Sequence, residues 1–239
     1  MDIAPGVQLE VTEFTDAENK IFDADYEKLI AMYTRYSVNS KDSHIIADAF
    51  NDTKEVFRVI AEASKQAIQP SAGVFQGMRA MTGFGMTKIR PGFMLPAAQG
   101  YSFDVALAAL TKDNWYGLYH NGAIGAAYNA TPLYLRKELS IAILGMMELG
   151  PNVMADELQF EINGKPLPVY NMLEAMRGTD MQFFRFPSVE YIKPAVQFRS
   201  QFKTNAISGN MCLVPVGIAF VTSDFMRQTA PTQPSTTAP

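Results

Sequence analysis

Strand-sized apolar and aromatic runs follow one another from residue 101 to residue 227, broken at short intervals by turn residues and with almost no stretch that reads as a long helix. Each such run covers one face, so the runs must pair into sheets. Short antiparallel strands at this spacing bury their apolar faces as a sandwich or a barrel. Residues 101–105, 115–119, 133–147, 158–162, 182–186, 191–202 and 211–221 are the expected strands. Asn121-Gly122 and Asn163-Gly164 stand between apolar runs, and both residue types tolerate positive φ, which marks two hairpin turns. Residues 167–176 read as a short helix with Val169, Met172, Leu173 and Met176 on one side. Pro187, Pro194 and Pro215 fall in or beside strands and confine those positions to edges, bulges or bends.

Residues 1–69 have a different character. The first 62 residues hold 13 Asp and Glu against 6 Lys and Arg, whereas the remainder is slightly basic. Val7, Leu9 and Val11 alternate with polar residues and predict a strand. Thr15-x-x-Glu18 is a capping box, and the apolar residues that follow predict a helix over 16–36. After the polar turn at 39–42, apolar residues recur every three or four positions from Ile45 to Ile68, a second helix with an expected break near Asn51-Asp52. The fold class is therefore mainly β with an α-helical N-terminal region, an α+β chain.

Residues 70–100 join the two parts with six Gly, four Met and only three charges. So many glycines exclude one regular helix or strand, yet a solvated linker would be polar. The expectation is an ordered apolar loop or arm, in which flexible Met side chains fit an irregular surface of the chain's own core or of a neighbour. Phe75, Met78, Met81, Phe84 and Met86 are its candidate anchors. Residues 228–239 carry no charge and little apolar bulk and are expected to form an extended tail.

Composition and motifs exclude several functions. One Cys cannot make an intramolecular disulfide, and two His leave little for metal chemistry, so neither a metal nor a cofactor is expected. No Gly-x-Ser-x-Gly, His-Glu-x-x-His or phosphate loop occurs, and Gly83-Phe84-Gly85 lacks the third glycine of a dinucleotide fingerprint. Basic residues are single and scattered, which argues against direct nucleic-acid binding. The N-terminal residues carry no basic segment before an apolar one, so no secretory signal is expected. No apolar stretch approaches the roughly 20 residues of a membrane span.

Three kinds of site merit attention. His120, beside the Asn121-Gly122 turn, could act as a base with Asp104 or Asp113, but a hairpin His making one hydrogen bond is the simpler reading. No catalytic residue is assigned, and Cys212 reads as a small core residue. Trp115, Tyr116 and Tyr119 supply the rigid aromatic area of a carbohydrate- or receptor-binding module, unless they simply pack across strands. Phe183, Phe184 and Phe186 put aromatics on both faces of one strand, so both faces must be covered, and a neighbouring subunit is the candidate cover.

Only 18% of residues are charged, against about 25% in an average soluble domain, so part of the surface is expected to be covered by copies of the chain. The segments Lys137 to Leu149 and Glu157 to Pro168, strand then turn then strand, resemble pieces of the jelly-roll coat proteins of icosahedral viruses. The resemblance implies an antiparallel β-sandwich of jelly-roll type and a virion subunit assembled in the host cell interior. It further implies contacts with copies of itself and with other virion proteins, and no enzymatic activity. The acidic helical region departs from a minimal jelly roll.

Overall fold

The computed structural model describes residues 9, 11–36, 40–68, 84–88, 104–106, 112–119, 134–135, 137–148, 155–177, 182–204 and 210–222. Two helices, α1 (Asp16–Tyr36) and α2 (Ser40–Ile68), precede the strands. The capping box of α1 closes as the sequence predicts: the Thr15 N–H and Oγ1 donate to the Glu18 carboxylate, and the Glu18 N–H donates back to Thr15 Oγ1. Helix α2 runs unbroken through Asn51-Asp52 and takes in the polar residues 40–42, contrary to the expected break and turn. Asn51 and Asp52 lie on its exposed side, where their weak helix propensity costs little beside the buried stripe of Ile46, Ala49, Phe50, Phe57 and Ile60. The strand expected at 7–11 falls largely outside the described residues, and Val11 is not in a strand.

The strands are β1 (Phe84–Lys88), β2 (Asp104–Ala106), β3 (Trp115–Tyr119), β4 (Leu139–Glu148), β5 (Ala155–Ile162), β6 (Lys165–Pro166), β7 (Tyr170–Asn171), β8 (Phe183–Ile192), β9 (Phe198–Thr204) and β10 (Asn210–Thr222). A one-and-a-half-turn helix, α3 (Met172–Arg177), links β7 to the region before β8. The first sheet has the order β1-β10-β4-β8, with β2 also paired to β10; the second has the order β3-β9-β5-β6, with β7 also paired to β5. All the pairings are antiparallel.

Two apolar cores hold three layers together. Leu139, Ile141, Ile143 and Met146 of β4 meet Leu158, Phe160, Phe198 and Phe202 of the second sheet. Ala142, Leu144 and Met147, on the other face of β4, meet Phe22, Tyr33, Phe50 and Phe57 of the helices. The order is therefore helix pair, first sheet, second sheet, and β4 is buried along its whole length. Ile143 and Met146 are three apart yet reach the same core, which a regular strand forbids. Leu144 resolves this as the extra residue of a bulge: the register with β10 passes from Val216↔Gly145 to Gly217↔Ile143. At Gly145 the β8 backbone comes so close that an added Cβ would lie 2.2 Å from the Phe184 carbonyl oxygen.

The Asn163-Gly164 turn is present, with φ of 52° and 73° at its two residues, and joins β5 to β6 as a tight hairpin. The Asn121-Gly122 turn lies outside the described residues. Residues 191–202 are not one strand: β8 ends at Ile192, and a turn with Ala195 at φ 57° leads into β9. Pro187 lies inside β8, which tolerates it because β8 is an edge strand whose pairing skips residues 186–189 between Gly145↔Arg185 and Ile143↔Glu190. The short helix begins at Met172 instead of 167, leaving Val169 exposed while Met172 and Met176 are buried.

Candidate functional surface

The helices cover the outer face of the first sheet, so among the described residues the outer face of the second sheet is the open one. Alternation along β5 and β9 sends Leu158, Phe160, Phe198 and Phe202 inward and polar residues outward. The outward residues stand in register: Glu157 opposite Lys203, Gln159 opposite Gln201, Glu161 opposite Arg199. Each pair is joined. Lys203 Nζ lies 3.3 Å from the Glu157 carboxylate, Gln201 Nε2 donates to Gln159 Oε1 at 2.8 Å, and the Arg199 guanidinium donates to Glu161. Trp115 on β3 continues the row, with Lys203 Nζ 5.7 Å from its ring centroid. Opposite charges on neighbouring strands neutralise one another across these pairs, and Trp115 adds an aromatic ring beside them.

The aromatic candidates separate accordingly. Trp115 is half-buried on this face. Tyr116 points the other way, is buried, and packs on Phe202 with centroids 6.1 Å apart, so it belongs to the core and not to a ligand site. Tyr119 lies on β3 opposite Ser200, and its side chain is outside the description. His120 lies outside the described residues, and Cys212 is described only as a backbone position on β10.

The expected interface residues are also divided. Phe75, Met78 and Met81 lie outside the described residues. Phe84 and Met86 stand on β1, whose backbone pairs with β10 of the same chain, so this part of the 70–100 segment is a strand of the first sheet. Phe183 and Phe186 are a correction: both faces of their strand are covered, as the sequence requires, but by the chain itself. Phe183 joins the helix-side core and Phe186 the core between the sheets. Phe184 is half-buried, edge-on to Tyr170 and Phe186. Neither buried ring is available to a neighbour.

Sequence reasoning missed the buried ionisable groups, because each pairs over a long distance in the chain. Glu18 and Lys65 form an ion pair at 2.8 Å with side chains 1% and 6% exposed, and Glu62 accepts the Phe14 N–H beside them. Asp42 is buried and accepts from the Gln182 N–H. Glu148 is fully buried at the end of β4. Glu190 is buried on β8 and accepts a short hydrogen bond from the Tyr170 hydroxyl. Burial pushes the Glu190 carboxyl above its ordinary range, outweighing the opposing effect of that hydrogen bond; burial, then the nearby carboxylate, pushes the Tyr170 hydroxyl up as well.

Among the described residues no group of three or more His, Cys, Asp or Glu is arranged to hold a metal ion, and no helix is long and apolar enough to cross a membrane. No family model and no curated protein sequence matches the chain.

Proposed function

We propose that the chain is a structural subunit that assembles with copies of itself into a closed shell, in the manner of jelly-roll coat proteins, with other virion proteins as further partners. Strand order is the observation that carries this reading. A jelly roll is an antiparallel ribbon that pairs first strand with last, second with seventh, third with sixth and fourth with fifth, rolled so that the last lies beside the third and the seventh beside the fourth. Taking β6 and β7 as one interrupted strand and leaving out the short β2, the pairs β1·β10, β3·β9, β4·β8 and β5·β6/β7 follow the ribbon. The pairs β10·β4 and β9·β5 follow the roll.

The same winding serves lectin-like and enzyme domains, so the shell role needs a second support, and the sequence supplies it in the apolar, charge-poor segment at 73–95. Among the described residues only Val11, Tyr134 and Val169 are large apolar side chains left exposed. Phe75, Met78 and Met81 of that segment are therefore the proposed anchors. Negative-stain electron microscopy and light scattering of the full chain at micromolar concentration should show large symmetric particles. A compact monomer under those conditions would sink the reading. Deleting residues 73–83, which spares β1, should abolish particles while the sandwich remains folded; intact particles would remove the segment from the account.

Trp115 on the open face favours a second reading, a carbohydrate- or receptor-binding sandwich. It requires that Trp115→Ala abolish glycan or receptor binding with assembly unchanged.

A further inference from the structure

Glu190 and Tyr170 tie the two sheets together at a point where regular pairing has lapsed. Val189 and Tyr191 on either side of Glu190 face the helices, so the pleat turns Glu190 into the layer between the sheets. It stands at the end of the 186–189 irregularity, 4% exposed. Tyr170 arrives from the other sheet, on β7, which pairs with Glu157 and Leu158 of β5 and leads directly into α3. Its ring stacks on Phe186 at 4.4 Å between centroids and lies edge-on to Phe160 and Phe184. A carboxyl group thus sits in an aromatic pocket with a phenol as its hydrogen-bonding partner, and no cation among the described residues is paired with it.

We propose that the Glu190–Tyr170 pair is a proton-operated latch: with Glu190 protonated it clasps β7 and α3 onto β8, and deprotonation releases them. The physical reason is the cost of a carboxylate in an apolar layer, which one hydrogen bond offsets only in part. Hydrating the charge requires the two-residue β7 and the short α3 to lift from β8. Among the described side chains, the charged groups on the surrounding elements are engaged elsewhere or exposed. Glu157 and Glu161 of β5 pair with Lys203 and Arg199, and Glu174 of α3 is exposed and bonded to Asn171. Arg185 of β8 pairs with Asp52 on α2, and Lys193 beyond β8 is exposed. β4 faces Glu190 with uncharged Ile143.

The sign follows from the raised carboxyl: the folded chain keeps the proton to higher pH than the unfolded chain. The latch is fully closed below the ordinary carboxyl range of about 4.3 and loosens as pH rises through the elevated value. Hydrogen-exchange mass spectrometry of the full chain from about pH 5 to about pH 8, corrected for intrinsic exchange, reads this directly. Protection of amides in 170–177 and 183–192 should fall by about tenfold or more as pH rises, while α1 and α2 stay protected. Glu190→Gln should keep the protection and remove its pH dependence. Tyr170→Phe, which deletes a hydrogen bond to the charged form, should move the transition to higher pH. Wild-type protection that is flat across this range, a Glu190→Gln chain that keeps the wild-type slope, or a transition that Tyr170→Phe leaves in place would each overturn the latch.

Discussion

The bulge in the first sheet can be tested through a single oxygen atom. Where β10 and β4 change register, Gly217 has its carbonyl and its N–H both engaged by the Tyr33 hydroxyl of α1, at 2.7 and 3.0 Å. Tyr33 is 2% exposed and its ring stacks on Phe50, so Tyr33→Phe removes the oxygen and leaves the packing in place. A buried backbone group that loses its partner costs about 1–3 kcal/mol, and two are lost here, so we expect a destabilisation of about 2–6 kcal/mol. For a chain of this size that corresponds to about 4–24 °C in Tm. Urea denaturation at fixed protein concentration, so that association does not change the reference, gives the free energy. Tyr26→Phe is the internal control: it loses one bond to the Phe50 carbonyl, which still accepts from Thr53 Oγ1, and should cost only about 0.5–1.5 kcal/mol. If Tyr33→Phe falls within about 0.5 kcal/mol of wild type, or is no worse than Tyr26→Phe, the hydroxyl is not what satisfies the bulge.

Other positions give equally direct outcomes. Gly145→Ala places a Cβ against backbone that cannot yield, so it should cost more than about 3 kcal/mol or prevent folding, seen as lost soluble yield or a lowered urea midpoint. Lys65→Met strands the buried Glu18 carboxylate and should cost about 3–5 kcal/mol, whereas Lys65→Met with Glu18→Gln should recover much of that loss in the same denaturation assay. Glu190→Gln should raise stability at neutral pH and leave it unchanged well below the ordinary carboxyl range, because the folded chain's preference for the protonated form is a cost only once the unfolded chain ionises.

The parts of this molecule legible in the sequence are those fixed within a few residues. The Thr15–Glu18 box and the apolar spacing behind it define α1, and Asn163-Gly164 defines a hairpin, because both rest on backbone conformations their own residues prefer. The supposed break in α2 shows the limit of such rules: Asn51-Asp52 is a weak local signal, and burial of Ala49, Phe50 and Phe57 against a distant sheet overrides it. Phe183, Phe184 and Phe186 show another. Their spacing requires cover on both faces, but an apolar face does not identify what lies against it, and the cover is the chain's own helices on one side and its own second sheet on the other.

Of the candidate sites, Trp115 keeps the outward place its strand allows, while Tyr116, one residue on, must face the core because successive strand residues alternate. Glu18 with Lys65, and Tyr170 with Glu190, are separated by 47 and 20 residues and leave no local pattern to detect. Sequence alone determined the capped start of α1, the Asn163-Gly164 turn and that some strands are apolar on both faces, since conformational preference and side-chain period are local properties. Only the tertiary structure decided which strands lie side by side, what covers the first sheet, and which carboxyl loses its water, since hydration and contact depend on residues the chain brings together from far apart.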